Sequence, residues 1–201
     1  MLKLGYVLLL VLGIVSCCSL HNVVPRADLE EAPYSVVATF EAGYEERVYP
    51  AKAWVCTAYV AAAEEDKEDE TFNTLYRYIN GTNEAAAAIP MTAPVTVEVV
   101  PQAGGLNSYT MCFFIAEDHQ ASPLQPTEQG VYLENRPEIS VYTREFTEYA
   151  LEAGWQLEAD ELRQLVAADG NSVVEDDLYR ASYQPPFQFW DRRNEVWLIK
   201  A

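Results

Sequence analysis

The sequence predicts an α+β fold in which an antiparallel sheet packs against two helices. Short segments of strand-like composition recur along the chain, and two longer segments have helical periodicity. Each helical segment follows a strand and precedes two more strands, so the order strand, helix, strand, strand occurs twice. This order indicates two related units with a pseudo-twofold relationship. With 201 residues, half of them hydrophobic, the chain is long enough to bury one sizeable core.

The first predicted unit begins with strands at Tyr44 to Tyr49 and Ala53 to Val60, separated by Pro50. The helix that follows has an apolar stripe whose members are spaced three, four and seven residues apart: Phe72, Leu75, Tyr76 and Ile79. Acidic residues precede the stripe, where the helix dipole favours negative charge. Gly81 can adopt the left-handed conformation that ends a helix. A hairpin of Val95 to Val100 and Tyr109 to Ile115 completes the unit.

The second predicted unit repeats this order after a loop that contains proline. Strands are predicted at Val131 to Glu134 and Ile139 to Phe146, and a helix from Thr147 to Ala168 that stops at Asp169-Gly170. Its core candidates are Trp155, Leu162, Leu165 and Val166. Strands at Leu178 to Tyr183 and Val196 to Ile199 end the chain.

The first 33 residues differ in composition from the rest. Residues 1–18 have a basic start at Lys3, an apolar run and then small residues, which is typical of a secretory signal peptide. The apolar run is shorter than the roughly 20 residues of a membrane span, so we expect a secreted, extracellular protein without stable membrane insertion. A retained signal anchor and a bacterial lipoprotein processed at Cys17 are the alternatives. Residues 19–33 are predicted to be a flexible arm, and residues 34–201 the folded domain.

Charge and cysteine content narrow the classes of partner. The chain has 13 basic and 31 acidic residues and a net charge of −18, which repels nucleic acid and anionic lipid, and we expect a monomer. After leader removal Cys56 and Cys112 remain, and both a disulfide and two buried thiols are compatible with the sequence. The sequon Asn80-Gly81-Thr82 predicts a glycoprotein, although the same residues also form the helix stop.

Several short motifs occur in an order and spacing typical of one family. They are Tyr44-Glu45-Glu46-Arg47 with Trp54-Val55, Tyr78-Ile79-Asn80-Gly81-Thr82-Asn83, Pro90-Met91-Thr92-Ala93-Pro94-Val95, Ala181-Ser182-Tyr183-Gln184-Pro185-Pro186 and Arg192-Arg193-Asn194-Glu195-Val196-Trp197-Leu198. In these motifs the chain resembles the SOUL, or heme-binding-protein, family. The resemblance implies a distorted antiparallel β-barrel of two pseudo-symmetric βαββ-type repeats flanked by two long α-helices. It also implies heme or another tetrapyrrole as the ligand.

The resemblance further implies where the ligand lies, against the first helix and under the loop between the last two strands. Transferred to this sequence, the site comprises Phe72, Tyr76, Arg77, Tyr183 and Phe187. Basic positions of the family are Asp69 and Gln188 here, and a histidine proposed as an axial ligand in some members is Val48. We therefore expect weak binding in a shallow groove without a histidine ligand. Alternatively, Phe72 and Tyr76 are core residues of the helix.

The predicted function is that of a secreted heme- or tetrapyrrole-binding protein, and the alternative is a cofactor-free extracellular protein-interaction module. We expect no enzyme, because the histidines His21 and His119 are too few for a Ser/His/Asp or Cys/His set. Glu46, Glu98 and Glu195 lie on predicted strands, but nothing in the sequence selects one as a general base. We also expect no structural metal site, since no Cys-x-x-Cys pair or Cys/His cluster occurs.

Overall fold

The computed structural model describes residues 29–184, 188 and 190–201. The predicted leader and Phe187 lie outside these residues. The strands are β1 (Glu30–Glu31), β2 (Ser35–Phe40), β3 (Tyr44–Tyr49), β4 (Lys52–Ala61), β5 (Thr92–Ala93), β6 (Val95–Gln102), β7 (Leu106–Phe114), β8 (Val131–Arg136), β9 (Ile139–Phe146), β10 (Val173–Ser182) and β11 (Asn194–Lys200). The α-helices are α1 (Glu68–Ile79), α2 (Glu117–Gln120) and α3 (Glu152–Ala168), and Glu64–Asp66 form a 3-10 turn. The fold is α+β, as predicted.

Nine of these strands form one antiparallel sheet in the order β2-β3-β9-β11-β10-β6-β7-β4-β8. The closed barrel is not found: within the described residues, β2 pairs only with β3 and β8 only with β4. Two-residue connections nevertheless join β3 to β4 and β8 to β9, which lie towards opposite ends of this order. Pro50 and Pro137 lie at these connections, and proline has no N–H to donate to a ladder. The sheet is therefore curled but open.

The curl brings side chains of distant strands together on the concave face, here called the inner face. Three strands separate β8 from β10, yet the Arg136 guanidinium lies 5.0 Å from the Tyr179 ring. Its other neighbours include the Trp54 ring, at 4.3 Å, and Thr96 Oγ1, at 3.4 Å from Nη1. The opposite, outer face is covered by α1 and α3, which contact β4, β7, β9, β10 and β11.

Strand alternation gives each face a core of its own. On β11, Val196 and Leu198 join the outer cluster under the helices, whereas Trp197 joins an inner cluster with Tyr49 and Tyr179. The sequence was compatible with either a disulfide or two buried thiols, and the structure shows which of these occurs on the inner face. Cys56 and Cys112 lie directly opposite on β4 and β7 and form a disulfide with an S–S distance of 2.09 Å.

Several predicted boundaries need correction. The second helix begins at Glu152, five residues after Thr147, because Leu151 is extended (φ −89°, ψ 179°). Residues 29–33 were assigned to the arm, but Glu30–Glu31 pair with Thr92–Ala93 and Ala32 is buried. The predicted stop of the first helix is confirmed, with Gly81 at φ +111°. No helix among the described residues is both long and apolar enough to cross a bilayer.

Candidate functional site

A groove on the outer face runs between α1 and the two central strands, β6 and β10, and we call it the α1 groove. Its volume is about 290 Å³, including space that is open to solvent. It is lined by Glu64, Glu68, Phe72, Val95, Val97, Ser182, Gln184 and Arg192. Its far wall ends at Gln184, immediately before the Pro185-Pro186 loop that the family resemblance placed over the ligand.

One aromatic ring of α1, that of Phe72, lines this groove, and the ring of Tyr76 stacks on it outside the lining residues. Phe72 is half-buried and its ring centroid lies 5.2 Å from that of Phe113 in the core. Tyr76, one turn later, is 47% exposed and nearly parallel to Phe72, with centroids 6.0 Å apart and an interplanar angle of 15°. The alternative that both rings are core residues therefore applies to Phe72 only in part, and it does not apply to Tyr76. The two rings are stacked neighbours on α1, and Tyr76 leaves about half of its surface exposed.

Arg77 follows Tyr76 on the exposed side of α1 and is engaged by a carboxylate. Its Nε donates to Glu128 Oε2 at 3.1 Å, and its Nη2 donates to Glu128 Oε1. Hydrogen bonding of the guanidinium to Glu128 raises the pKa of Arg77, and the negative charge of that carboxylate adds to the effect. The cation predicted for the site is thus largely neutralised by the loop that precedes β8.

Tyr183 does not line the α1 groove. It is buried on the inner face, where its hydroxyl donates to Glu195 Oε2 at 2.9 Å and the Arg193 guanidinium lies 3.7 Å from its ring. Burial raises the pKa of Tyr183 well above its ordinary value, and the charge of Glu195 adds to the shift. Successive residues of an extended chain point to opposite faces, so Ser182 and Gln184 reach the groove instead. Phe187 lies outside the described residues.

The cation that does line the groove is Arg192, which the sequence analysis did not select. Only 5% of it is exposed, and it donates from Nη1 to the Gln188 carbonyl at 2.8 Å and from Nη2 to Asn194 Oδ1 at 3.3 Å. Burial lowers the pKa of Arg192, while the charge of Glu68 opposes that shift. The sequence feature that could have identified this residue is the Arg192-Arg193 pair. Side chains of consecutive residues in an extended chain alternate between the two faces, so one arginine of the pair points to each face.

Carboxylates share the groove with Arg192. Glu64 lines it and accepts a hydrogen bond from Arg180 Nη1 at 2.7 Å. Arg180 is 1% exposed and also donates to Glu152 Oε1 at 2.6 Å, while the Tyr109 hydroxyl donates to Glu152 Oε2 at 2.8 Å. This buried cluster, the Arg180 clamp, fastens the starts of both α1 and α3 to strand β10.

The three carboxylates considered as general bases have structural partners in this fold. Glu46 accepts from Lys200 Nζ at 2.6 Å, and Glu98 accepts from the Tyr179 hydroxyl at 2.6 Å. Glu195 is completely buried and accepts hydrogen bonds from four residues: Arg47, Tyr183, Arg193 and Trp197. None of the three lines the α1 groove.

Ligands for a metal ion are scarce at the groove. No histidine, cysteine or methionine is among the described residues that line it. One group in the described part of the chain has suitable spacing, Cys56 with Cys112 and Glu134, but there the two sulfurs are joined to each other in the disulfide.

Comparisons with known proteins support the family that the sequence motifs indicated. The model of the family described as SOUL heme-binding protein matches residues 29–199. The chain is 30% identical to heme-binding protein 1 of Mus musculus over 178 residues, which cover 86% of this chain and 94% of that protein. It is 35% identical to heme-binding protein 2 of Mus musculus over 160 residues, 78% of each chain.

Two solved structures share the fold at low sequence identity. The EcmrR C-terminal domain superposes with a TM-score of 0.61 at 8% identity and covers 84% of this chain and 98% of its own. A hydrolase from Listeria innocua has a TM-score of 0.53 at 9% identity and covers 79% of this chain and 92% of its own. These two structures show the similarity of the fold alone. The family match and the two mouse relatives go further, and together with the motifs they show that this chain belongs to the SOUL heme-binding protein family.

Proposed function

We propose that this protein binds heme or a related flat tetrapyrrole in the α1 groove. The observation that carries the proposal is the stacked pair of Phe72, which lines the groove, and Tyr76, opposite a wall that combines Val95 and Val97 with polar side chains. Flat aromatic surfaces bind a macrocycle by offset stacking and by burial of apolar area. The names of the mouse relatives, both heme-binding proteins, support the same ligand.

The residues present fit a tetrapyrrole that is held by its ring rather than through its metal. Phe72 and Tyr76 offer the stacking surface, and Arg192 offers a cation for one carboxylate. A heme site that ligates iron needs an axial side chain such as histidine, methionine or cysteine. Because the described lining of the groove offers none of these, we expect weak binding with no axial protein ligand.

Titration of hemin into the leaderless protein tests this proposal. We expect a Soret shift with wild type and roughly tenfold weaker binding for Phe72→Ala, because that variant removes half of the stacking surface. Leu157→Ala is the matched control, since Leu157 is 66% exposed on α3 and does not line the groove. A spectrum identical to that of free hemin, at protein concentrations well above micromolar, would overturn the proposal in favour of the cofactor-free interaction module.

The proposal includes an extracellular location, a monomeric state and N-glycosylation. The Cys56–Cys112 disulfide supports the location, because such bonds persist in oxidising compartments. Asn80 is exposed at the end of α1, which supports glycosylation of its sequon. Expression in cultured animal cells tests both: the protein should be recovered from the medium, and Asn80→Gln should remove a glycosidase-sensitive mass.

The proposal also includes descent of the domain from two copies of one βαββ unit. One unit is β4, α1, β6 and β7, and the other is β9, α3, β10 and β11. The sheet order supports this descent, because β9-β11-β10 is followed by β6-β7-β4, the same unit order reversed. The two units meet where Arg180 of β10 pairs with Val97 of β6.

A further inference from the structure

We propose that the Cys56–Cys112 pair, once reduced, binds a zinc ion on the inner face together with Glu134. The two thiolate sulfurs and one carboxylate oxygen are its protein ligands, and the fourth position of a tetrahedral ion is left to water. The site lies on the opposite face of the sheet from the α1 groove, and it does not depend on what that groove binds. Formation of the disulfide and binding of the ion exclude each other.

The sheet ladders hold the three ligand positions close together. Cys56 and Cys112 face each other across β4 and β7, and Glu134 faces Trp54 across β8 and β4, one inner-face position from Cys56. Cys56 Sγ lies 3.6 Å from Glu134 Oε2, and all three ligand atoms lie within 4.8 Å of one another. Since a tetrahedral zinc ion sets its sulfur and oxygen ligands about 3.6 Å apart, the spacing between Cys56 and Glu134 already fits the ion.

Reduction of the disulfide precedes binding, because zinc-bound sulfurs lie about 3.8 Å apart and share no bond. A dithiol reductant breaks the bond by thiol–disulfide exchange: two electrons and two protons pass to the cysteines, and the reductant becomes a disulfide. The ion then binds both sulfurs as thiolates and releases their two protons to solvent. In the reverse exchange an oxidised dithiol takes up two electrons and two protons, the bond between the cysteines forms again, and the ion leaves.

Arg136 balances the charge of the occupied site. Two thiolates and a carboxylate carry three negative charges, and a divalent ion leaves one of these uncompensated. Arg136 Nε donates to Glu134 Oε1 at 3.2 Å, and its guanidinium lies 4.3 Å from the Trp54 ring. Its positive charge therefore offsets the remaining negative one, and its hydrogen bond to Oε1 leaves Oε2, which lies beside Cys56 Sγ, for the ion.

The surroundings of the cysteines suit a single bound ion. Cys56 and Cys112 are completely buried and cluster with Trp54 and Phe114, whose side chains keep water and competing ligands away. The Glu134 side chain is 31% exposed, so its carboxylate gives the ion a route from solvent to the sulfurs. In the extracellular setting proposed above the pair is a disulfide, whereas in a reducing compartment it is available to the ion.

Titration of the leaderless protein with cobalt and then zinc tests the site. Residues 19–201 retain only Cys56 and Cys112 of the four cysteines. One sample is reduced with dithiothreitol, which is then removed by gel filtration under nitrogen, and the other is kept oxidised. We expect the reduced protein to bind one cobalt ion with a sulfur-to-cobalt charge-transfer band that zinc abolishes, and the oxidised protein to show no such band. Absence of the band from the reduced protein, or its presence in both samples, would overturn the inference.

Glu134→Gln separates the folded site from a bare pair of thiols. It removes the carboxylate ligand, and we expect it to weaken zinc binding to the reduced protein by roughly a factor of ten or more. Glu138→Gln makes the same change in charge at an exposed position of the β8–β9 connection, and it should bind zinc as wild type does. Equal affinities of the two variants would overturn the inference, because the cysteines would then bind without the third ligand.

Circular dichroism controls for loss of structure on reduction. If the reduced protein keeps the spectrum of the oxidised one, the affinities describe the folded site. If it loses that spectrum, one equivalent of zinc should restore it, because the three ligands come together only in the folded chain. Failure of zinc to restore the spectrum would overturn the inference. None of these outcomes concerns the α1 groove, and the hemin titration with Phe72→Ala tests the proposed function separately.

Discussion

Glu195, in the family motif near the C-terminus, accepts hydrogen bonds from four residues. It is inaccessible to solvent and is contacted by two arginines, a tyrosine hydroxyl and an indole N–H. Two of these donors also contact residues outside the motif. The Arg47 guanidinium carbon lies 4.2 Å from the centroid of the Tyr34 ring, and Arg193 Nη1 lies 3.0 Å from Glu31 Oε1. A buried carboxylate with this many donors is stable only when all of them are in place.

We therefore expect Glu195→Gln to lower the free energy of unfolding by about 3 kcal/mol, because Arg47 and Arg193 lose their one fully buried carboxylate partner among the described residues and keep only more exposed ones. Glu145→Gln is the control: Glu145 contacts Arg193 at 3.4 Å, but its side chain is 52% exposed, so we expect a change below about 1 kcal/mol. Urea unfolding followed by fluorescence measures both. A Glu195→Gln midpoint equal to that of wild type would contradict this account of the motif.

Single residues of the groove were predictable to different degrees. Helical periodicity predicted that Phe72 and Tyr76 share one stripe of α1, and the family resemblance implied that both belong to the site; Phe72 lines the groove and Tyr76 stacks beside it. The assignment of Tyr183 failed by one position, since the side of a strand that faces a helix depends on its pairing with β6 and β11. The same uncertainty hid Arg192, which the sequence does not distinguish from Arg193.

Among the elements, α1 and α3 are held by the Arg180 clamp at their N-terminal ends. Burial alone would raise the pKa of Glu152, but hydrogen bonds and charge from Arg180, with the Tyr109 hydroxyl, lower it below its ordinary value of 4.5. A lowered pKa in the folded state means that ionised Glu152 stabilises the fold. That stabilisation is complete above the ordinary pKa and is lost as the pH falls through the lowered one.

We expect Glu152→Gln to cost about 2 kcal/mol of stability at neutral pH. The difference from wild type should remain constant down to about pH 5 and shrink at lower pH, as Glu152 of the wild type becomes protonated. Asp160→Asn, on the same helix, removes an exposed pair with Arg163 and should change stability by less than about 0.5 kcal/mol. Unfolding free energies measured from pH 7 to pH 3 test this, and a difference that grew on acidification would refute it.

The boundaries of the helices and strands show which local sequence signals were sufficient to predict where an element begins or ends. The glycine stop of α1 was predicted because a positive φ is a local requirement. The start of α3 was missed because residues 147–151 are compatible with a helix, and Leu151 is instead extended where the chain approaches the sheet. Strand β1 has two acidic residues and no alternation, and only its parallel pairing with β5 defines it.

At the level of the whole molecule, the curled sheet has a seam where β3 and β9 approach β4 and β8, and no ladder joins the two pairs of strands in the described residues. Side chains of β3, β4, β8 and β9 line a narrow crevice there, among them Tyr49, Trp54, Arg136 and Ile139. Ala32 and Pro33 line it as well, so the segment 29–33 covers part of the seam. An uncovered sheet edge exposes unpaired backbone N–H and C=O groups, which favour unwanted association with other chains.

This arrangement predicts that the segment 29–33 contributes to stability although its sequence resembles a linker. Removing it eliminates the backbone hydrogen bond from Ala32 to the Ala93 carbonyl, the β1–β5 ladder, the Glu31–Arg193 pair and the contact of Leu29 with the inner cluster. We expect a chain that begins at Tyr34 to be roughly 2–3 kcal/mol less stable than one that begins at Leu29. It should also bind more of a hydrophobic dye, because the seam at Trp54 is uncovered.

A chain that begins at Ser19 is the control and should match the one that begins at Leu29. Urea midpoints that are equal for all three chains would show that the folded domain begins at Tyr34 after all.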